Sequence, residues 1–154
     1  MTLGSAAWGW ALALAVPACA GEADEPPWPT PLEVEVRGVD LRWTFRHPGP
    51  DGRLHTPDDR VDDQDLRLPA GVATRLRVTS GDFVYSLRLP SLRQRVMAVP
   101  DLWVEMRLDP QPEGTHALLG DQLCGDAHPD LHRRLSFEAP TRYRAHLGTL
   151  PEAP

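Results

Sequence analysis

The chain of 154 residues contains no lysine, isoleucine or asparagine, so all 16 of its basic residues are arginine. These three amino acids have AT-rich codons, and their absence indicates a GC-rich genome and carries no functional information. The arginines are scattered and the net charge is -6, which argues against a nucleic-acid-binding surface. Aromatic residues make up 6% of the chain, and its 17 prolines favour short strands and turns over helices.

Cysteine is also scarce. Only Cys19 and Cys124 are present, and Cys19 lies in an apolar N-terminal stretch that we expect to be processed, so the two are not expected to pair. No internal repeat is visible, and the length suits one domain with a hydrophobic core.

The apolar stretch covers residues 3–20, carries no charge and ends in small residues. Because its apolar core is short for a bilayer span, we interpret residues 1–20 as an export signal. Signal peptidase could cleave after Ala18-Cys19-Ala20, or residues 16–19 could form a lipobox with Cys19 as the lipidated first residue. We favour the lipoprotein; a retained membrane anchor is the third alternative. The protein is therefore expected in the periplasm or attached to a membrane.

Three further segments follow the signal. Residues 21–31 are rich in proline and predict an extended linker. Residues 32–147 carry the alternating patterns of a folded domain, and residues 148–154 form a C-terminal tail.

Within the domain, apolar and polar residues alternate in short runs separated by Pro/Gly turns, which is typical of half-buried strands. Trp43 and Phe45 share one face of their strand and are expected in the core. The pattern predicts an antiparallel β-sandwich or barrel, with strands at residues 32–37, 41–47, 65–68, 72–79, 83–90, 103–108, 115–119 and 133–138.

A long acidic loop interrupts this pattern between residues 48 and 65. Calcium binds several oxygens on a short loop, but the spacing of the aspartates does not match an EF-hand, so we favour a solvated acidic loop. The carboxylates concerned are Asp51, Asp58, Asp59, Asp62, Asp63 and Asp65.

Residues 120–131 carry the clearest chemical signal. Cys124 and His128 lie four residues apart in a glycine-containing loop, and a thiolate with an imidazole can bind a soft metal such as copper or zinc. The same pair could act as nucleophile and base in an enzyme, but no third residue that would orient them stands out.

Several segments resemble, in order and spacing, the periplasmic domain of cytochrome c oxidase subunit II. Residues 41–49 resemble its aromatic strand, Gln-Trp-x-Trp-x-Phe-x-Tyr, and residues 96–100 its Asp-Ala-x-Pro-Gly turn. Residues 66–92 are similar to its Leu-Pro-x-Gly and Thr-Ser-x-Asp-Val-x-His-Ser segments, and residues 120–131 to its copper loop, Cys-x-Glu-x-Cys-Gly-x-x-His-x-x-Met. The resemblance implies a cupredoxin-like antiparallel Greek-key sandwich or barrel over most of the mature chain.

In that family the copper loop helps to form a dinuclear copper centre, CuA, from two His, two Cys, one Met and a backbone carbonyl. Cys124 and His128 match the second cysteine and the second histidine. The first histidine, the first cysteine, the methionine and the carbonyl donor fall on Tyr85, Gly120, Leu131 and Gln122. Because two bridging thiolates hold the copper ions together, we do not expect a dinuclear centre in this chain.

Other functional positions of the family are also replaced. Its electron-entry tryptophan falls on Leu41, and the Asp and Glu of its magnesium or manganese site fall on Met97 and Gln122. In place of the usual pair of transmembrane helices there is the signal-like segment. We therefore expect a non-catalytic accessory or binding component without metal, with a respiratory membrane complex or a copper-handling protein as partner.

The alternative is a mononuclear copper protein, an electron carrier or copper chaperone, that binds one copper ion. A cupredoxin's single copper takes one Cys, two His and a weak axial ligand. Cys124 and His128 would supply two of these, and the weaker candidates are Gln122, Tyr85, His132 and His116. A second imidazole close to Cys124 would distinguish this alternative.

Overall fold

The computed structural model describes residues 28–123 and 128–154, and this part of the chain forms two five-stranded sheets. The strands are β1 (Leu32–Val39), β2 (Arg42–His47), β3 (Arg60–Asp62), β4 (Leu66–Pro69), β5 (Thr74–Ser80), β6 (Tyr85–Leu89), β7 (Gln94–Ala98), β8 (Val104–Leu108), β9 (Gly114–Gln122) and β10 (Arg133–Glu138). The first sheet has the order β3-β2-β1-β5-β8 and the second β4-β10-β9-β6-β7.

The alternation in the sequence decides which face of each strand is buried. On β5, Leu76 and Val78 are buried while Arg75 and Arg77 lie on the outer face. Trp43 and Phe45 are both fully buried, as predicted. The apolar faces of the two sheets meet in one core.

The predicted cupredoxin-like β-sandwich is confirmed. Six strand pairings in the described part of the chain are antiparallel, and two, β1 with β5 and β4 with β10, are parallel. Parallel neighbours need a long crossover, and here β2 to β4 lie between β1 and β5 in the chain. The alternation of apolar and polar residues predicts strands, but it does not show whether neighbouring strands run parallel or antiparallel.

The turns at one end of the sandwich, which we call the loop end, include residues 40–41, 81–84 and 99–103, together with residues 123 and 128–132. The backbone N–H of Gly81 donates to the carbonyl of Gly38 at 2.9 Å, and that of Leu123 donates to Val84 at 2.9 Å. Residues 40–41 form a tight hairpin turn with positive φ at both positions, as two-residue turns of this kind require. The opposite end, where β1 begins, is called the linker end.

A helix that the sequence did not predict, α1 (Pro140–Leu147), packs at the linker end and buries Tyr143 and Leu147. With only two buried positions it carries little periodic signal. It is the one α-helix among the described residues, and no helix there is long and apolar enough to cross a membrane. The expected export signal at residues 1–20 lies outside the described part.

Residues beyond both expected domain boundaries pack against the sandwich. Trp28, which we assigned to the linker, is buried with its ring centroid 5.0 Å from that of Tyr143. In the tail, the carbonyl of Pro151 accepts from the N–H of Val61 at 3.1 Å, and the N–H of Ala153 donates to Asp59 at 2.9 Å. Folded structure therefore extends from Trp28 into the tail.

Candidate functional site

The three positions where the chain departs from the family's copper ligands lie together near the loop end. Tyr85 begins β6 and pairs with Gln122 of β9, and two residues further along Leu87 pairs with Gly120. Leu131 ends a short 3-10 turn (Pro129–Leu131) and is fully buried. All three positions surround the indole of Trp43.

Trp43 connects the first sheet to this loop. Its indole Nε1 donates to the carbonyl oxygen of Leu131 at 3.0 Å, and its ring meets that of Tyr85 edge to face at 5.7 Å. A buried tryptophan N–H needs such an acceptor, and edge-to-face aromatic pairs add stability beyond area burial. The centre of the region is thus occupied by apolar packing and one buried hydrogen bond.

Glycine at position 120 is required by this packing. A Cβ atom added to Gly120 would lie 2.7 Å from Nε1 of Trp43 and 2.8 Å from both Cβ and the carbonyl oxygen of Leu131. Contacts this short do not occur without a shift of the neighbouring atoms, two of which are backbone or Cβ atoms. A cysteine side chain at this position has no room beside the indole.

Tyr85 is held by hydrogen bonds of its own. Its hydroxyl donates to Oδ1 of Asp82 at 2.7 Å and accepts from the backbone N–H of Leu41 at 3.3 Å. Burial, followed by the hydrogen bond to Asp82, raises the pKa of Tyr85 to about 12. A phenol that stays protonated at neutral pH and is bonded to a carboxylate is poorly suited to bind a metal.

Cys124 lies outside the described residues, but candidate ligands on both sides of it are described. Gln122 ends β9, half-buried, beside a cavity of about 240 Å³. His128 is also half-buried, and its carbonyl accepts from the N–H of Leu131 at 2.9 Å. The loop end therefore holds Gln122 and His128 on either side of residues 124–127.

The other two histidine candidates are placed differently. His116 lies six residues before Gln122 on β9, which corresponds to about 20 Å along an extended strand. Its ring bonds to Oγ of Ser91 at 2.8 Å and packs on Phe137. Along the strand, His116 is therefore distant from Gln122. His132 is exposed and lines an outer groove together with His116.

The acidic loop makes buried polar contacts with neighbouring elements. Asp59 is fully buried and lies 3.5 Å from the guanidinium of Arg46, and Asp62 is buried with His146 at 2.9 Å. The prediction of a solvated loop is therefore wrong for Asp59 and Asp62. Among the described residues, no group of three or more His, Cys, Asp or Glu side chains is placed to hold a metal ion.

Trp43 and Asp82 matter more to this region than sequence reasoning indicated. Trp43 was expected only to pack in the core, and Asp82 lies between the strands predicted at residues 72–79 and 83–90. The aromatic strand and the turn were both visible in the sequence, but the pairing across the two sheets depends on the tertiary structure.

Comparisons with known proteins agree with this architecture. The chain is 30% identical over 137 residues to the alternative cytochrome c oxidase subunit 2 of Bradyrhizobium diazoefficiens, and the match covers 75% of the chain and 50% of that protein. It is 24% identical over 127 residues to cytochrome c oxidase subunit 2 of Synechocystis sp., covering 80% of the chain and 35% of that protein. The chain thus spans half or less of these relatives, and no family model matches it.

Among solved structures, the fold is similar to the periplasmic domain of subunit II of cytochrome oxidase (CoxB) of Bradyrhizobium japonicum. The TM-score is 0.64 with 17% sequence identity, and the match covers 79% of this chain and 94% of that domain. The same domain in a mixed disulfide with a thioredoxin-like protein, TlpA, gives a TM-score of 0.63 at 16% identity, covering 78% and 91% of the two chains. The folded part of this chain has a cupredoxin-like fold and is similar to the periplasmic domain of cytochrome c oxidase subunit II.

Proposed function

We propose that this protein is an exported accessory or binding component of a respiratory or copper-handling system, whose cupredoxin scaffold has lost the dinuclear copper centre. The observation that carries the proposal is the indole of Trp43, which packs against Gly120 and hydrogen-bonds to Leu131. Tight packing of this kind stabilises the protein and takes up space that ligand side chains would need.

The remaining donors support the same conclusion. Gly120 supplies no thiolate, Leu131 supplies no thioether, and Tyr85 keeps its proton and bonds to Asp82. Two copper ions need two bridging sulfur atoms, and position 124 offers one. The scaffold can persist without the metal because its core is apolar and does not depend on metal ligands.

The partner is inferred from the relatives. Two of them are named as subunits of cytochrome c oxidase, which makes a respiratory membrane complex the first candidate partner and a copper-handling protein the second. A lipid on Cys19 would hold the domain at the membrane surface, where such complexes lie. In this arrangement the domain would bind a partner without transferring electrons through copper.

A mononuclear copper protein is the second candidate function. It is supported by Gln122 and His128, which flank Cys124 in the sequence and both lie at the loop end. Thiolate, imidazole and a carbonyl would hold one copper ion there, and electron transfer or copper delivery would follow. This candidate still needs a second imidazole, which His116 does not supply.

The partner can be tested in membranes of the native host. Tagged protein solubilised in mild detergent should elute together with haem absorbance or with a copper-handling protein, well above its own mass of 17.1 kDa. A Cys19→Ala variant serves as the control, since it should shift to the soluble fraction. Elution of the native protein alone, with one copper ion bound, would favour the second candidate instead.

A further inference from the structure

A buried histidine at the linker end holds helix α1 in place. His47, the last residue of β2, is fully buried, and its Nδ1 lies 3.0 Å from the hydroxyl of Tyr143 on α1. Its Nε2 is also buried and has no hydrogen-bond partner among the described residues. A neutral imidazole tolerates this arrangement, whereas an imidazolium would need an acceptor for a second N–H.

The same helix holds the end of the linker. The ring of Trp28 packs edge to face on Tyr143 at 5.0 Å, and the guanidinium of Arg144 lies over it at 5.4 Å. A second contact of α1, from His146 to Asp62 of β3 at 2.9 Å, is partly buried. Linker, helix and strands β2 and β3 therefore meet in one cluster around His47 and Tyr143.

The charged groups around His47 do not favour a positive charge there. On β3, Arg60 pairs directly opposite His47, and its guanidinium is bound to Glu152 of the tail. Asp62, also on β3, contacts His146 at 2.9 Å. On β1, the carboxylates of Glu33 and Glu35 lie on the outer face and pair with arginines of β5.

We propose that the protonation state of His47 controls the packing of helix α1 and Trp28. While His47 is neutral, both pack against the sandwich; when His47 gains a proton, both are released. Whichever ring nitrogen takes the proton, the imidazolium carries an N–H at Nε2, for which there is no acceptor among the described residues. The release frees residues 28–31, and these four residues add about 13 Å to the length of the linker when they are extended. The inference concerns the linker end and does not depend on whether copper binds at the loop end.

The size of the effect follows from the two protonation equilibria. Burial, and then the neighbouring His146, lower the pKa of His47 to about 3 in the closed protein, from an ordinary value of 6.5. For a histidine with a lowered pKa, stability is complete above 6.5 and decreases as the pH falls from there towards 3. The opening equilibrium constant of α1 should therefore increase about tenfold for each pH unit below 6.5. Between neutral pH and pH 5 this amounts to about 30-fold.

Amide hydrogen exchange tests this directly. After correction for the intrinsic pH dependence of exchange, the hydrogen-bonded amides of residues 143–147 should open about 30-fold more at pH 5 than at pH 7.5, with strand β9 much less affected. The increase should be absent in His47→Gln and unchanged in the control His116→Gln, because the ring of His116 bonds to Ser91 and packs on Phe137, neither of which lies in the helix. A helix whose opening is independent of pH in the native chain would overturn the proposal.

A second measurement covers the case in which His47→Gln does not fold. The imidazole signals of the unmodified protein, followed by NMR, should show one histidine that remains neutral down to pH 5. If every histidine titrates near 6.5, the proposal is wrong.

Discussion

Replacing Gly120 with alanine adds a single methyl group at the point where the family has its first copper-binding cysteine. In an ordinary strand position, alanine in place of glycine stabilises a protein by about 0.4–1 kcal/mol through the unfolded chain. Here the added Cβ would lie 2.7–2.8 Å from Trp43 and Leu131, and overpacking of this kind costs about 1–3 kcal/mol. We therefore expect Gly120→Ala to lower the free energy of unfolding by about 1–2 kcal/mol.

The same strand offers a matched control. A Cβ atom on Gly114, at the start of β9, would meet only Nε2 of His116, at 3.8 Å, which is an ordinary contact. Gly114→Ala should therefore change the free energy of unfolding by less than about 0.5 kcal/mol, or increase it slightly. Both variants can be measured by urea denaturation followed by far-UV circular dichroism.

A double-mutant cycle then identifies the cause. Trp43→Phe removes Nε1, the atom nearest the added methyl, but it leaves the Leu131 carbonyl unpaired and should cost about 1–3 kcal/mol by itself. Because the phenyl ring leaves room for the methyl group, the double variant should be less destabilised than the sum by about 1 kcal/mol. A neutral Gly120→Ala, or additive effects of the two changes, would refute the account of a filled site.

Two further substitutions test contacts at opposite ends of the domain. Tyr85→Phe removes the hydroxyl that binds Asp82 and Leu41, so we expect a loss of about 1 kcal/mol in urea denaturation, and no loss would show that these bonds contribute nothing. Since its folded-state pKa is raised, Tyr85 should also stabilise the fold at neutral pH. This contribution should be lost as the pH rises from 10 to about 12. Absorbance at 295 nm reports ionisation of the phenol, and ionisation of Tyr85 near pH 10 would contradict the prediction. Trp28→Ala should cost about 3 kcal/mol, and a change below about 0.5 kcal/mol would mean that the linker does not pack on the domain.

The sequence predicts the fold well because alternation and burial are local consequences of strand geometry. Leu76 and Val78 point inward, and Trp43 and Phe45 enter the core, as the period of two requires. Helix α1 was missed because it buries only Tyr143 and Leu147, too few for a clear helical period. The burial of Asp59 and Asp62 was missed because it depends on partners distant in the chain or in a different element, as His146 is for Asp62.

The candidate site was only partly readable for a similar reason. The motif spacing aligned Tyr85, Gly120 and Leu131 with ligand positions, and the structure brings these three together. What the spacing could not show is that Trp43, from the other sheet, fills the space between them. The spacing also left His116 as a candidate ligand, although strand geometry places it about 20 Å from Gln122.

Copper titration of the purified, reduced protein is the sharpest test of whether this cupredoxin scaffold lacks a metal. Visible absorption and metal analysis would be measured together for the native chain and for Cys124→Ser. The account predicts no intense thiolate-to-copper band and no stoichiometric copper in either protein. Two copper ions per chain with such a band, both lost in Cys124→Ser, would show that a dinuclear centre forms and would contradict this prediction. One copper ion per chain, lost in the same variant, would establish the mononuclear site instead.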